Sequence, residues 1–334
     1  MFLEYSIPRR QNVHQSFYLI TKAWSNCNNF VAQMSNIEIK KLHTFLGHNN
    51  SLYSLEALDD HRFFSAGSEG MVVLWNLKSP DEGEVVAKVE GSIYAMAYDP
   101  IANVLFVAEN HEGIHKIDLD KQKEVGSVQL GNHQIFDLKM NDGMLWAALE
   151  SGELVKLSPS LEVLNREKIS SDRVRGLDFY EKYIATSCSD NTVKILEIES
   201  LELSAELKGH KNSVFTGTYH PSGKYLISGG RDAQLLVWDA NEGYILRESM
   251  AAHLYTINHL VFNKDGKYFV TCSMDKSIKL WNAHNFKLLK VLDKHRHAGH
   301  GNSVNKLLWM KYQDLLVSCS DDRTISVWDI NLDE

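Results

Sequence analysis

Residues 209–239 read GHKNSVFTGTYHPSGKYLISGGRDAQLLVWD. The alternation of apolar and polar residues between turn residues predicts three short strands, at residues 214–220, 224–229 and 234–238. Pro221 fixes φ and Gly223 supplies a positive φ, so a tight turn is expected between the first two strands. A fourth strand is expected near residues 244–249. The segment therefore predicts one four-stranded unit of about 40 residues.

The end of the third strand recurs along the chain at nearly regular intervals. The clear copies are Leu74-Trp75-Asn76, Val237-Trp238-Asp239, Leu280-Trp281-Asn282 and Val327-Trp328-Asp329. Weaker copies end at Ile117-Asp118, Leu157-Ser158 and Leu196-Glu197. Successive copies lie 39 to 47 residues apart, and such a period with four strands per unit indicates the blade of a β-propeller. Seven blades account for about 300 residues, so the predicted fold is an all-β, seven-bladed β-propeller.

The two ends of the chain suggest how the ring closes. The chain stops five residues after Asp329, before an outer strand of blade seven could form. Residues 37–45, IEIKKLHTF, resemble the outer strands expected at residues 203–207 and 288–292. We therefore expect this N-terminal strand to pair into the last blade, which removes free strand edges from the ring.

The propeller is predicted to span residues 34–334, preceded by an N-terminal extension of residues 1–33. Two interpretations of the extension stay open. In the first, translation begins at Met34 and the preceding residues are a gene-model extension. In the second, they form an arm that binds a partner or directs targeting.

Composition argues against several classes of function. The net charge of −8 opposes direct binding to nucleic acid, where a basic patch is expected. No apolar stretch approaches about 18 residues and no secretory pattern opens the chain, so no membrane association is expected. The four cysteines show no metal-ligand spacing: Cys27, Cys188, Cys272 and Cys319. The last three fall in or just after second strands and are interpreted as small apolar core residues. Unpaired thiols fit a reducing compartment. We therefore predict a cytoplasmic location and no metal or cofactor.

With this repeat the chain resembles the WD-repeat β-propellers over about 300 of its 334 residues. The resemblance is strong in blades one, five, six and seven. It implies that each of these blades contains one hydrogen-bonded polar set, formed in blade five by His210, Asp232, Ser228 and Trp238. A Ser-His-Asp catalytic triad is disfavoured, because a hydrolase needs one such constellation beside an oxyanion hole and not several copies.

Blades two to four resemble the family only weakly. Ile117, Leu157 and Leu196 stand where the Trp is expected. Blade four keeps Thr186 and Asp190 but has no matching His. We therefore expect these blades to pack through apolar contacts, without the polar set, and to be the softer part of the ring.

The resemblance implies an interaction platform whose partners dock around the central channel, on the face that carries the outer-to-inner connectors, without indicating a pathway. One position per blade, just past the start of the innermost strand, is predicted to face the channel mouth: Tyr53, Tyr94, Phe136, Arg175, Phe215, Asn258 and Asn305. Aromatic residues and Arg are favoured at interface hot spots, and an inserted cation would gain from the aromatic faces. The alternative is that these rings pack between blades and never meet solvent.

Residues that precede the turn acid are expected to edge the same face: Ser68, Ser189, Arg231, Met274 and Asp321. Arg231, Met274 and Asp321 complete the candidate partner-binding set.

The longest connector joins blades six and seven and reads DKHRHAGH at residues 293–300. Its His residues suggest zinc, but no Cys and no regularly spaced acid accompanies them, and His300 belongs to a polar set. We therefore expect a mobile, solvated loop that adds specificity at the rim.

The predicted function is a non-enzymatic scaffold or adaptor that binds a peptide segment or a partner protein, as a monomeric ring within a larger complex. Two alternatives stay open. A propeller-type hydrolase or lyase, with a metal or an acid pair in the channel, would need Asp, Glu, His or Asn side chains that converge at the mouth. Only Asn258 and Asn305 are candidates there, and no carboxylate joins them. A subunit of an RNA- or chromatin-associated complex would act through protein contacts, because no direct nucleic-acid binding is expected.

Overall fold

The computed structural model describes residues 37–80 and 82–332. The unit that carries the blades spans Ile39–Asp329. The predicted extension at residues 1–33, the suggested start at Met34, and Cys27 lie outside the described residues.

Every strand in the described part of the chain belongs to one of seven four-stranded sheets. The chain enters through β1 (Ile37–Phe45). Blade one contains β2 (Leu52–Ala57), β3 (Arg62–Gly67), β4 (Met71–Asn76) and β5 (Gly83–Lys88). Blade two contains β6 (Ile93–Asp99), β7 (Val104–Glu109), β8 (Gly113–Asp118) and β9 (Lys123–Val128). Blade three contains β10 (Ile135–Asn141), β11 (Met144–Leu149), β12 (Glu153–Leu157) and β13 (Val163–Lys168).

The second half of the ring follows the same order. Blade four contains β14 (Val174–Tyr180), β15 (Tyr183–Cys188), β16 (Thr192–Glu197) and β17 (Leu203–Lys208). Blade five contains β18 (Val214–Tyr219), β19 (Tyr225–Gly230), β20 (Gln234–Asp239) and β21 (Ile245–Ala251). Blade six contains β22 (Ile257–Phe262), β23 (Tyr268–Ser273), β24 (Ile278–Asn282) and β25 (Leu288–Leu292). Blade seven contains β26 (Val304–Trp309), β27 (Leu316–Ser320) and β28 (Ile325–Leu332).

The N-terminal strand closes the ring. The sheet of blade seven has the strand order β1-β28-β27-β26, whereas the other sheets use four consecutive strands, as in β18-β19-β20-β21. The predicted all-β propeller, its seven blades and its closure are therefore confirmed. The predicted tight turn of blade five is also present, with Gly223 at a φ of 71°.

Apolar side chains from adjacent blades form the core between the sheets. Phe63 and Trp75 of blade one pack with Val317 and Val327 of blade seven in one buried cluster. Another cluster joins blades five and six. Because each sheet buries both faces against its neighbours, the second strands are almost wholly apolar or small, as in β7 with all six residues buried.

The polar set implied by the family resemblance is present in blade five. His210 contacts Asp232 through Nδ1 (3.0 Å to Oδ2) and Ser228 through Nε2 (2.8 Å to Oγ). Trp238 donates its Nε1–H to the same hydroxyl at 2.9 Å. These buried groups satisfy one another, so they support the blade and are not arranged around a substrate cleft.

Blade four departs from the expectation that the middle blades pack by apolar contact alone. Asp190 accepts hydrogen bonds from Ser170 Oγ at 2.8 Å and from Thr192 Oγ1 at 2.6 Å. Lys194 Nζ lies 2.5 Å from the same carboxylate. Ser170 stands where other blades have His, and Lys194 supplies the positive charge, so a different polar set stabilises this blade.

The connector after blade six contains one helical turn that was not predicted, while its predicted mobility stays a prediction. Residues Lys294–His297 form one helical turn, α1, and Asp293 caps it by accepting the Arg296 N–H at 2.8 Å. The local capping bond explains why this His-rich segment is not an open loop. Across the described ranges, no group of three or more His, Cys, Asp or Glu could hold a metal ion.

The three described cysteines are buried thiols, as predicted. Cys188, Cys272 and Cys319 have 0% exposed surface. Burial raises the pKa of Cys188 to about 11 and that of Cys319 to about 12. They therefore act as small apolar residues of the second strands. In the same described part of the chain, no helix is long and apolar enough to cross a bilayer.

Candidate functional site

The seven predicted ring residues occupy one structural position, a β-bulge near the start of each inner strand. In blade one, Leu52 pairs with Gly67 and Ser54 pairs with Ala66, which leaves Tyr53 as the extra residue. The same one-residue shift occurs at the ring position of the other six inner strands. A bulge re-aims the side chain of its extra residue, so the backbone itself turns these side chains toward the channel.

All seven side chains line one cavity of about 550 Å³. Each of them is half-buried: Tyr53, Tyr94, Phe136, Arg175, Phe215, Asn258 and Asn305. The aromatic side chains therefore meet the cavity, in contrast to the alternative in which they pack between blades and never meet solvent. The predicted role of these residues in partner binding stays a prediction.

An aromatic arc with a cation in it covers five blades of the mouth. Tyr53 and Tyr94 stack with ring centroids 4.7 Å apart, and the Phe136 ring lies 6.0 Å from Tyr94. The guanidinium carbon of Arg175 lies 4.3 Å from the Phe136 centroid and 4.7 Å from the Phe215 centroid. Arg175 therefore already lies over one face of each of these Phe rings, and the expectation that an inserted cation gains from the aromatic faces stays a prediction.

The Arg175 side chain is only partly solvated. Its Nε donates a hydrogen bond to Ser189 Oγ at 3.0 Å. Burial, together with the nearby charge of Arg173, lowers the pKa of Arg175 to about 10. The guanidinium therefore lies in an environment that disfavours an uncompensated positive charge.

The two ring asparagines serve the structure where blades six, seven and one meet. Asn258 Nδ2 donates to Ser303 Oγ at 3.0 Å and to the Val304 carbonyl at 2.8 Å. Asn305 Nδ2 donates to the Leu52 carbonyl and to Asp321 Oδ1, both at 2.8 Å. The amide donors are thus used inside the ring. The expectation that no carboxylate joins the asparagines is wrong, because Asp321 contacts Asn305 directly.

The three predicted rim residues differ in their distance from the ring of side chains at the mouth. Asp321 lies beside the ring through its bond to Asn305, whereas Arg231 and Met274 are exposed and do not line the cavity. Met274 is 55% exposed, and Leu254 and Tyr255 in the connector before blade six are 83% and 61% exposed. The Met274 N–H donates to the Thr256 carbonyl at 3.0 Å, which holds this turn against the connector before blade six. The repeat alignment did not single out Leu254 or Tyr255, since connector lengths and contents vary.

A second group of charged residues, which the sequence pattern did not indicate, lies deeper in the channel. Lys139 Nζ lies 3.1 Å from Asp178 Oδ1, and Lys306 Nζ lies 3.8 Å from Asp137 Oδ1. These residues follow the bulges at alternate positions of the inner strands, so the same pleat that aims the mouth ring also aims them inward. The alternation of charged residues along the inner strands was the feature of the sequence from which this group could have been predicted.

Each acceptor in this deeper group also links one blade to the next. Asp137 accepts the Leu177 N–H at 2.9 Å, and Asp178 accepts the Tyr219 N–H at 2.8 Å. Glu56 accepts the Tyr98 N–H and His259 Nδ1 accepts the Leu307 N–H, both at 3.3 Å. The charged layer therefore holds adjacent inner strands together along the channel.

The protonation of this layer follows from burial and charge. Burial raises the pKa of Glu56 to about 7. Burial, together with the charges of Lys306 and Lys139, lowers the pKa of His259 well below its usual value. Burial also lowers the pKa of Lys139, but Asp178 and Asp137 raise it more in total. At neutral pH the layer therefore contains charged Lys139, a neutral imidazole and a carboxyl near its midpoint.

Comparison with known proteins supports the repeat. The family model described as WD domain, G-beta repeat, matches residues 39–76, 201–239, 245–282 and 287–329. The chain resembles the WD40 β-propeller domain of Doa1 with a TM-score of 0.77 and 17% identity, covering 87% of this chain and 97% of that one. At this identity the likeness concerns the fold.

Similar curated proteins share only part of their length with this chain. The chain is 26% identical to telomerase protein component 1 of Rattus norvegicus, over 59% of this chain and 8% of that protein. It is 41% identical to the protein transport protein SEC13 of Chaetomium globosum, over 20% of this chain and 24% of that protein. A WD repeat domain-containing protein 83 homolog of Dictyostelium discoideum is 25% identical, over 64% of this chain and 63% of that protein.

Proposed function

Since this chain belongs to the WD-repeat β-propeller family, we propose that it is a non-enzymatic interaction scaffold or adaptor. It binds a peptide segment or a partner protein at the channel mouth. The binding set comprises the aromatic arc and Arg175 in the cavity, with Arg231, Met274 and Asp321 at the rim.

The observation that carries this proposal is the repeated bulge. Seven inner strands each place one side chain into a single open cavity of about 550 Å³. Within it, Tyr53, Tyr94, Phe136, Phe215 and Arg175 are residue types that dominate the energy of protein interfaces. A cavity of this size takes one or two side chains of a docked segment.

The contacts in the channel argue against the alternative of a hydrolase or lyase. A carboxylate that acts as a general base or as a metal ligand needs accessible lone pairs. Asp137 and Asp178 both accept backbone N–H groups of the following blade and face Lys side chains. If either carboxylate gave up these contacts in order to take part in catalysis, a link between blades would be lost. We therefore assign the charged layer of the channel a structural role.

We propose a protein partner within a larger complex, with this chain as a monomeric ring in the cytoplasm. The net charge of −8 disfavours a general role on nucleic acid. The buried thiols of Cys188, Cys272 and Cys319 suit a reducing compartment. Protein-mediated membership of an RNA- or chromatin-associated complex is compatible with the same surface.

Affinity capture from native lysate tests this proposal. The wild type is compared with Tyr94→Ala/Arg175→Glu/Phe215→Ala, and bound proteins are identified by mass spectrometry. A matched control, Val163→Ala/Leu203→Ala/Arg247→Glu, changes exposed residues of the outer strands by the same types of substitution. We expect partners to be lost from the first variant alone, with circular dichroism unchanged. Partners retained by that variant would contradict a site at the mouth.

A further inference from the structure

The mouth cavity has the opposite charge balance to the whole chain. Four cations line it, Arg173, Arg175, Lys139 and Lys306, against two carboxylates, Asp137 and Glu150. The lining residues alone carry a balance of two positive charges in a protein of net charge −8. Asp178 and Asp321 contact the lining residues Lys139 and Asn305, so the positive charge that remains lies on the side of the cavity formed by Arg173 and Arg175. A concave site with low-dielectric walls concentrates such a field, so the lining favours an anionic group on the ligand.

Three of the four cations already face carboxylates. Arg173 lies 3.3 Å from Glu150, and the two deeper lysines pair with Asp178 and Asp137. Arg175 differs, because no Asp or Glu of residues 37–80 or 82–332 lies within ion-pair distance of it. Its close contacts are the neutral Ser189 hydroxyl and the rings of Phe136 and Phe215. Arg175 is therefore the cation in the lining that still needs a counter-charge.

The geometry at Arg175 selects the type of anion. The Phe136 and Phe215 rings cover the guanidinium, and Ser189 occupies its Nε–H. The two terminal amino groups remain as donors in an open cavity. Such a planar donor pair matches a carboxylate, which accepts two parallel hydrogen bonds. The two rings restrict the rotation of the guanidinium, so little entropy is lost when the ligand binds.

We propose that the channel mouth recognises a peptide through one carboxylate that binds Arg175. This inference rests on the proposed function and defines the chemistry of its ligand. The carboxylate belongs to an Asp or Glu side chain or to the C-terminus of the partner. Tyr53 and Tyr94, stacked beside Phe136, contact the part of the peptide that carries this anchor.

A library of random dodecapeptides on beads tests the proposal with the full chain. One half of the library ends in a free carboxylate and the other half in an amide. Peptides that bind the wild type but not Tyr53→Ala/Tyr94→Ala are taken as ligands of the mouth. Each is resynthesised with one carboxylate neutralised at a time, by Glu→Gln, Asp→Asn or C-terminal amidation. Affinities are measured for wild type, Arg175→Gln, Arg175→Lys and the control Arg247→Gln, which lies on an outer strand.

We expect neutralising one carboxylate to weaken binding to the wild type roughly tenfold to a hundredfold. The same change should have little effect on Arg175→Gln, because the partner group is already missing. Arg175→Lys should restore only part of the affinity, since an ammonium cannot form the planar pair, and Arg247→Gln should behave as wild type. The comparison of the two library halves distinguishes a side-chain anchor from a C-terminal one.

Two other results overturn the proposal in different ways. If mouth-dependent peptides carry no critical carboxylate, or if Arg175→Gln and the wild type respond equally to its removal, the anchor is wrong while the mouth remains a binding site. If no peptide depends on Tyr53 and Tyr94, the proposed function fails together with the anchor. Because the peptide substitutions leave the protein unchanged, loss of folding in an Arg175 variant cannot imitate the expected result.

Discussion

Asn305 of blade seven donates its side-chain amide to the Leu52 carbonyl of blade one at 2.8 Å. The two residues are 253 positions apart in the chain, and their bond closes the ring at its inner edge. The same Nδ2 group also donates to Asp321. One side chain therefore joins the first inner strand, the last inner strand and the rim.

This bond makes Asn305 a stability residue. We expect Asn305→Ala to lower the free energy of unfolding by about 1–3 kcal/mol, because the carbonyl of the buried residue Leu52 and a carboxylate lose their donor. Urea denaturation followed by tryptophan fluorescence measures the change. The control Asn132→Ala, at an exposed position, should change stability by less than about 0.5 kcal/mol. Equal effects of the two substitutions would show that the closure bond contributes little.

Two buried serines, one inside a polar set and one without a hydrogen-bond partner, should respond differently to substitution by Ala. Ser228 Oγ accepts the Trp238 Nε1–H and contacts His210 Nε2, so Ser228→Ala leaves buried groups unpaired and should cost about 1–3 kcal/mol. Ser326 is equally buried, but its Oγ has no hydrogen-bond partner. Ser326→Ala should be neutral or stabilising, since it removes an unsatisfied buried hydroxyl. Thermal unfolding of both variants checks the contrast, and a loss of stability in Ser326→Ala comparable to that in Ser228→Ala would contradict it.

Glu56 gives the channel a predictable response to pH. Burial raises the pKa of its carboxyl to about 7, above the value of about 4.3 in an unfolded chain. The folded state therefore holds a proton that the unfolded state has released. The resulting stabilisation is complete below about pH 4.3 and is lost as the pH rises through the folded pKa.

Substitution by Gln removes this titration and keeps an oxygen that can accept the Tyr98 N–H. We expect Glu56→Gln to gain stability relative to the wild type as the pH is raised from about 5 to about 8, in urea denaturation at each pH. The exposed control Glu199→Gln should show no such trend. If the difference in the free energy of unfolding between Glu56→Gln and the wild type stayed constant over this pH range, the Glu56 carboxyl would not be a source of pH-dependent stability.

Ring closure through β1 makes a prediction about solubility. Deletion of residues 35–46 removes the strand that lies at the edge of the blade-seven sheet and exposes β28, its neighbour. An unpaired strand edge favours association with other chains. We expect the deletion variant to aggregate and to lose cooperative unfolding, as measured by light scattering and thermal denaturation. A soluble variant that unfolds cooperatively would show that the ring does not need this strand.

Much of the fold was predictable because its determinants are local. His210 and Ser228 are 18 residues apart and Trp238 and Ser228 are 10 apart, so a single blade contains its own polar set and its own turns. The polar set of blade four was missed, because Ser170 and Lys194 replace the expected residue types. The helical turn α1 was missed because its capping bond from Arg296 to Asp293 uses residues that also suit an open loop.

The sequence by itself determined the number of blades, the closure by β1 and the seven positions that meet at the channel mouth. These features repeat with the period of the chain, so alignment of the repeats reveals them. Only the tertiary structure decided how the seven side chains divide their roles. Arg175 lies between Phe136 and Phe215, residues about 40 positions away on each side, and Asn305 turns inward to bond Leu52. Such contacts depend on the angle between neighbouring sheets and on one extra residue in each inner strand, and neither leaves a mark in the pattern of apolar and polar residues.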